Sequence, residues 1–300
     1  MMKSFEDIIF RQYHTTTGKD RRPQCLYHYT SIDGLMGISK LRKIWASNIK
    51  YLNDKDEFVH TLNLLEKKCK KKFKGRSKDK LTKTFYDIFK GSDLVEDFDI
   101  YTFSLTEEGD LLSQWRGYCP NYGFSIGFDF SKLNRLIKKN NLENCFLLPC
   151  FYKNQSKEYF IDLIIDEAFE SISESIKLSD KTSNKENFFR DVLKTYSKKV
   201  IIVSSIFKSD SFFEESEWRL FHFRRSKDNI KDIKYRNGRS LIIPYLELEI
   251  EDKYKSTPLK EVIIGPSPHL EPSKKSANML LKSNNFECKV SESKIPFRKL

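Results

Sequence analysis

Alternating apolar and polar positions mark the strands of this chain first. Phe124, Ile126, Phe128 and Phe130 alternate strictly, the pattern of a half-buried strand. Leu246, Leu248 and Ile250 alternate with Glu247, Glu249 and Glu251 in the same way. Short apolar or aromatic runs predict further strands over Cys25–Tyr29, Lys43–Ser47, Ile100–Leu105, Glu215–Phe223, Glu261–Gly265 and Phe286–Val290. Helical spacing takes over between them. Thr30 or Ser31 can cap a helix over Ile32–Leu41, with Asp33 favourable in its first turn. Phe58, Leu62, Leu65, Cys69 and Phe73 share one face of a basic amphipathic helix. Leu111, Leu112, Trp115 and Tyr118 fit one face of another, with Trp115 expected in the core. Residues 156–209 read as mostly helical with a break near Ser179–Asn184, and Ser273–Lys282 as a helix.

The order predicts an α+β fold: a mixed central β-sheet with packed helices and a helical insertion at 156–209. No Gly/Ser linker or long Pro-rich hinge divides the chain. One domain over 24–298, behind an N-terminal extension at 1–23, is the expected organisation.

Composition narrows the functional classes. No apolar run approaches the roughly 18 residues of a membrane span. Met1–Phe10 is polar and of mixed charge, so no secretory signal is expected. The six cysteines form no CxxC pair, which points to a reducing, cytoplasmic setting. No HExxH, GxGxxG or GxxxxGK[ST] occurs, so neither a metal site nor a Rossmann or P-loop nucleotide site has sequence support. The net charge of +12 permits a phosphate-rich partner such as nucleic acid. Of 54 basic residues only 14 are Arg, so the bias of a Lys-, Ile- and Asn-rich composition explains the excess as well. If the charge is used, the Lys70–Lys83 stretch with Arg224, Arg225, Arg236 and Arg239 should form one surface.

Four stretches can carry chemistry. In Tyr27-His28-Tyr29-Thr30, alternation puts His28 and Thr30 on one strand face, where they could hold a ribose or polar ring; a core His and a capping Thr fit equally. Trp45-Ala46-Ser47 makes a flat wall, and the following Asn53 could donate to a ligand. Asp54 with Glu57 three residues on reads better as a helix cap with its N3 acid. Ser104 stands near a strand tip, and Arg116 has no obvious carboxylate a helical turn away, so a ligand phosphate or a distant structural carboxylate would be its partner. Finally, a strand over Glu215–Phe223 would place Glu215, Glu217 and Arg219 on one face. Two carboxylates so close repel unless a positive charge lies between them, either Arg219 or a cationic reaction centre. Such a Glu can stabilise positive charge developing at an anomeric carbon; a solvent-facing Glu/Arg ladder is the plain alternative.

These motifs, taken in order with Gly123-Phe124-Ser125-Ile126-Gly127-Phe128-Asp129, Val262-Ile263-Ile264-Gly265-Pro266 and Val290–Pro296, resemble a bacterial family catalogued as domain of unknown function 2971. The resemblance runs from about 24 to 298 and carries no activity; its members are thought of alongside phage defence and mobile elements. More distantly, His-x-Thr on a strand followed by helix and strand resembles the opening of the ADP-ribosyltransferase fold. That likeness implies NAD as substrate and no metal. His28 would hold the ribose, with Tyr29, Thr30, Trp45, Asn53, Ser104, Arg116 and Tyr118 around the cofactor. Glu217 would be the catalytic acid and Glu215 would orient the acceptor. The chain departs from that pattern at Leu105, where a Ser-Thr-Ser run would have its second residue. The expectation is an NAD-consuming, ADP-ribosyltransferase-like effector of a defence or toxin system, with a protein or nucleic-acid target, a possible partner chain and no membrane. The alternative is a basic nucleic-acid-binding or processing module without NAD chemistry.

Overall fold

A computed structural model describes residues 4–52, 55–74, 98–119, 122–139, 144–179, 185–226, 230–238, 240–252 and 254–296. Its strands are β1 (Cys25–Thr30), β2 (Lys43–Asn48), β3 (Phe98–Thr106), β4 (Phe124–Asp129), β5 (Cys145–Pro149), β6 (Glu217–Arg225), β7 (Lys234–Asn237), β8 (Ile242–Glu249), β9 (Leu259–Ile264) and β10 (Lys289–Glu292). They form one mixed sheet in the order β10-β9-β4-β1-β3-β2-β8-β7, with β6 paired to β3 and β5 to β6. The β9–β10 pair is parallel; the other pairs are antiparallel. The architecture is α+β.

One topological feature creates the cleft. β6 occupies a whole edge of β3, from Phe98↔Arg225 to Thr106↔Glu217. A strand has only two edges, so β1 and β2 must share the other. They meet it at opposite ends: Tyr27 faces Thr106, whereas Ser47 and Asn48 face Thr102 and Tyr101. Between those points, along Phe103–Leu105, the sheet is split.

Helices α1 (Phe5–Thr17), α2 (Ile32–Leu41), α3 (Lys55–Lys72), α4 (Leu112–Tyr118), α5 (Phe130–Lys139), α6 (Asn154–Ser179), α7 (Lys185–Ile206) and α8 (Leu270–Ser283) surround the sheet. α1 begins in a capping box between Ser4 and Asp7 and ends at Gly18, whose φ of 69° suits a residue without Cβ. It lies in the stretch expected as an extension, yet buries Ile9, Phe10 and Tyr13 in the main core. α5 was not expected, because the apolar alternation runs through Phe130. Instead Asp129 ends β4 and accepts from the Lys132 amide, capping a helix that buries Phe130, Leu133, Leu136 and Ile137. β5 was likewise not read from the sequence, and the final strand lies at Lys289–Glu292 rather than Phe286–Val290.

The insertion is the helical pair α6–α7, buried through Phe160, Ile161, Ile164, Ala168 and Ile172 on one helix and Val200, Ile201, Val203 and Ile206 on the other. The basic helix α3 packs on it and spends its charge there. Lys68 pairs with Glu158 and Asp162, each at 3.0 Å, and Lys72 pairs with Asp166. The acids recur every four residues, one per turn of α6. Among the described residues, no helix is long and apolar enough to cross a membrane.

Candidate functional site

The split in the sheet is a cleft of about 520 Å³, within the range of small-molecule sites. β1 and β2 form two walls, β3 the floor and the start of α2 a third wall. Gly34 and Gly37 present α2 to the cleft without side chains. A Cβ on Gly34 would lie 1.9 Å from Thr30 Oγ1, so the glycine is what lets the helix close on the end of β1. A Cβ on Gly37 would meet nothing within 4 Å, because that position faces open space.

His28 occupies the split itself. Its Nδ1–H donates to Ser104 O at 2.9 Å, and its ring lies on Phe103 with centroids 4.1 Å apart. Burial pushes the imidazole down to about 4, helped by the nearby Arg236 cation and opposed by the bond to Ser104. The ring is therefore neutral near pH 7. With Nδ1 committed as donor, Nε2 is left as an acceptor, and it makes no hydrogen bond among the described residues.

Trp45, 39% exposed, lies against Tyr245 with centroids 4.5 Å apart and lines the cleft. Thr30, Ser104 and Tyr118 also line it. Tyr29 borders it, but packs edge-on against Trp115 and bonds through its hydroxyl to Glu108 O and the Leu111 amide. Trp115 is itself buried, with its indole N–H on Asp110. Arg116 is the residue the fold does not bring in. It is exposed on α4 and is not part of the cleft wall. Asn53 and Asp54 lie outside the described residues, as does the side chain of Glu57.

The acidic end differs from the sequence expectation in an instructive way. Glu215 ends a 3-10 turn (Asp210–Glu215) instead of lying on the strand, and Ser216 takes a left-handed φ of 41° before β6 begins. Both acids nevertheless line the cleft. The positive charge between them is neither Arg219 alone nor a reaction centre. It is Lys208, whose Nζ lies 2.6 Å from Glu215 Oε2 and 2.6 Å from Glu217 Oε2. Arg219 then grips Glu217 through Nε at 3.0 Å and Nη2 at 3.2 Å, while Nη1 donates to Ser205 O. Burial raises the Glu217 carboxyl, but Arg219 and Lys208 outweigh it and hold the group at about 2. Glu217 is thus anionic, 4% exposed and already compensated by two cations. Glu215 is more available: among the described residues its other oxygen accepts a hydrogen bond only from the Tyr118 hydroxyl, at a long 3.4 Å.

Two cations were not anticipated here. Lys208 follows α7 and is folded back by backbone bonds to Phe151. Arg236, expected on a basic surface, turns into the cleft and donates to Ser47 Oγ at 3.0 Å. The strand alternation Tyr235-Arg236-Asn237 was the available signal, with Tyr235 60% exposed on the other face.

Residues 114–220 match the model of a family described as "Protein of unknown function (DUF2971)". The resemblance seen in the sequence motifs is thereby shown over that range, which includes Tyr118, Lys208, Glu215 and Glu217. No curated protein and no solved structure matches the chain. The likeness to ADP-ribosyltransferases rests on the residues alone.

Proposed function

We propose that the cleft binds a nucleotide and that the nucleotide is NAD. The observation that carries this reading is the convergence in one cavity of a neutral His28 acceptor, the hydroxyls of Thr30 and Ser104, and the aromatic faces of Trp45 and Tyr118. Ribose hydroxyls need acceptors and donors at fixed positions, and a flat base or nicotinamide ring needs an apolar face. An imidazole with its proton fixed on Nδ1 by Ser104 O supplies the acceptor without bringing a charge.

The activity this reading implies is cleavage of the nicotinamide–ribose bond. Nicotinamide leaves with the bonding electron pair, and ADP-ribose passes to water or a nucleophilic acceptor. Positive charge develops on the ribose in the transition state, and a carboxylate beside it lowers the barrier. The ion pairs argue for Glu215 as the acid that meets the ligand. Glu217, held by Arg219 and Lys208, keeps the network in place and has little net charge left to offer. The expected division of roles between these two acids is therefore revised.

The nucleic-acid alternative draws less support. Among the described residues, the cations named for it do not face one way: Lys72 pairs with Asp166 on α6, Lys70 pairs with Glu66, and Arg236 faces the cleft. Lys78–Lys83 and Arg239 lie outside the described residues.

Nicotinamide release by the purified chain, with and without cell extract, tests the activity. Release that falls by about 10²–10³ in Glu215→Gln, the scale of losing one preorganised contact, supports it. NAD binding without release in any condition would leave a nucleotide-binding protein and remove the transferase chemistry.

A further inference from the structure

We propose that Arg236, Ser47 and Thr102 form a seat for a phosphate group of the ligand at the β2 end of the cleft, an inference that rests on the cleft being a ligand site. Register brings the three together. Ser47 faces Thr102 across the β2–β3 pair and faces Tyr245 across the β2–β8 pair. Arg236 faces Ile243 on β8, two residues from Tyr245 and therefore on the same side of the sheet. All three line the cleft.

Their hydrogen bonding is one-sided. The Arg236 guanidinium is half-buried, and burial already pushes its proton affinity down. Its hydrogen-bond partner is Ser47 Oγ, and among the described residues it has no carboxylate partner. Because Ser47 Oγ accepts that bond, its own O–H is left to donate. Thr102 is 3% exposed, and its Oγ1 has no hydrogen-bond partner among the described residues. Buried hydroxyls without partners are uncommon, and each calls for an account. Here a cation and two hydroxyls line one end of the cleft, and the hydrogen bond among them, from Arg236 to Ser47 Oγ, leaves both hydroxyl protons and the rest of the guanidinium to donate. A group made of acceptor oxygens and carrying negative charge satisfies all three at once, and a phosphate has that chemistry. The opposite end of the cleft holds the compensated Glu215–Lys208–Glu217–Arg219 cluster, which offers a phosphate no net attraction. The ligand is thereby oriented, with its phosphate toward β2 and β7 and its sugar toward β1.

Inorganic pyrophosphate, titrated into the full chain at low salt and read by calorimetry, tests this apart from any nucleotide. One saturable site per chain is expected. It should weaken at least tenfold in Arg236→Gln and several-fold in Thr102→Val, and stay unchanged in Arg225→Gln on β6. Thr102→Val removes a hydroxyl without a partner, so it should keep the melting temperature while losing affinity, which separates binding from folding. No pyrophosphate binding, or equal binding by Arg236→Gln, overturns the phosphate seat. NAD binding in that case would leave the nucleotide reading standing. Pyrophosphate binding without NAD binding would keep the seat and remove NAD.

Discussion

Lys208 Nζ lies midway between two carboxylates, 2.6 Å from Glu215 and 2.6 Å from Glu217. Lys208 is 3% exposed and Glu217 4%, so the contact is shielded from water and from salt. Removing the cation leaves two acids facing each other in a low-dielectric site. Lys208→Met should therefore destabilise the fold by about 3–5 kcal/mol, the range for breaking a buried ion pair. Adding Glu215→Gln to that variant should restore part of the loss, because Glu217 keeps Arg219 as its partner while Glu215 has lost its cation. Urea unfolding of the two single variants and the double variant measures the coupling. Additive losses would mean that the two side chains do not interact as described.

His28 ties stability to pH. The folded chain keeps it neutral down to about 4, whereas an unperturbed imidazole takes its proton near 6.5. Between those values the unfolded chain binds the extra proton, so stability falls as pH drops from about 6.5 to about 4. The slope from one such group is at most about 1.4 kcal/mol per pH unit. Denaturation at pH 7 and pH 5 should show His28→Gln with a shallower acid loss than the wild type. Burial also depresses His222, which should supply the slope that remains. Identical slopes in both chains would show that His28 is solvated and titrates normally.

Two glycines on one helix should behave oppositely. Gly34→Ala drives a methyl into Thr30 and should cost about 1–3 kcal/mol, as overpacking does. Gly37→Ala meets open space and should gain up to about 1 kcal/mol from helix propensity. Thermal melts of both variants check this. A stabilising Gly34→Ala would mean that α2 does not close on β1 as described.

Local elements were legible in the sequence because local rules determine them. The Ser31 cap, α2, and strands β1 and β2 follow from capping and alternation within a few residues. The need for a positive charge between Glu215 and Glu217 was legible too, from repulsion alone. Its source was not. Lys208 reaches the acids only because the end of α7 is bonded back to Phe151. Arg236 and Ser47 are 189 residues apart and meet through β8, a pairing no local pattern encodes. The same limit hid the split in the sheet, which arises from β6 filling one edge of β3. Phe130 misled for a different reason: its apolar character suits both a continuing strand and the first turn of a helix, and the Asp129 cap decides between them.

The nucleotide proposed above would occupy the split between β1 and β2. Calorimetric titration of NAD into the wild-type chain and into Gly37→Phe tests this most directly, since the added ring projects into the cleft from a position with no neighbour within 4 Å. One site per chain in the wild type, lost in a folded Gly37→Phe, is the predicted result. No binding by the wild type, or equal binding by the blocked variant, would contradict it.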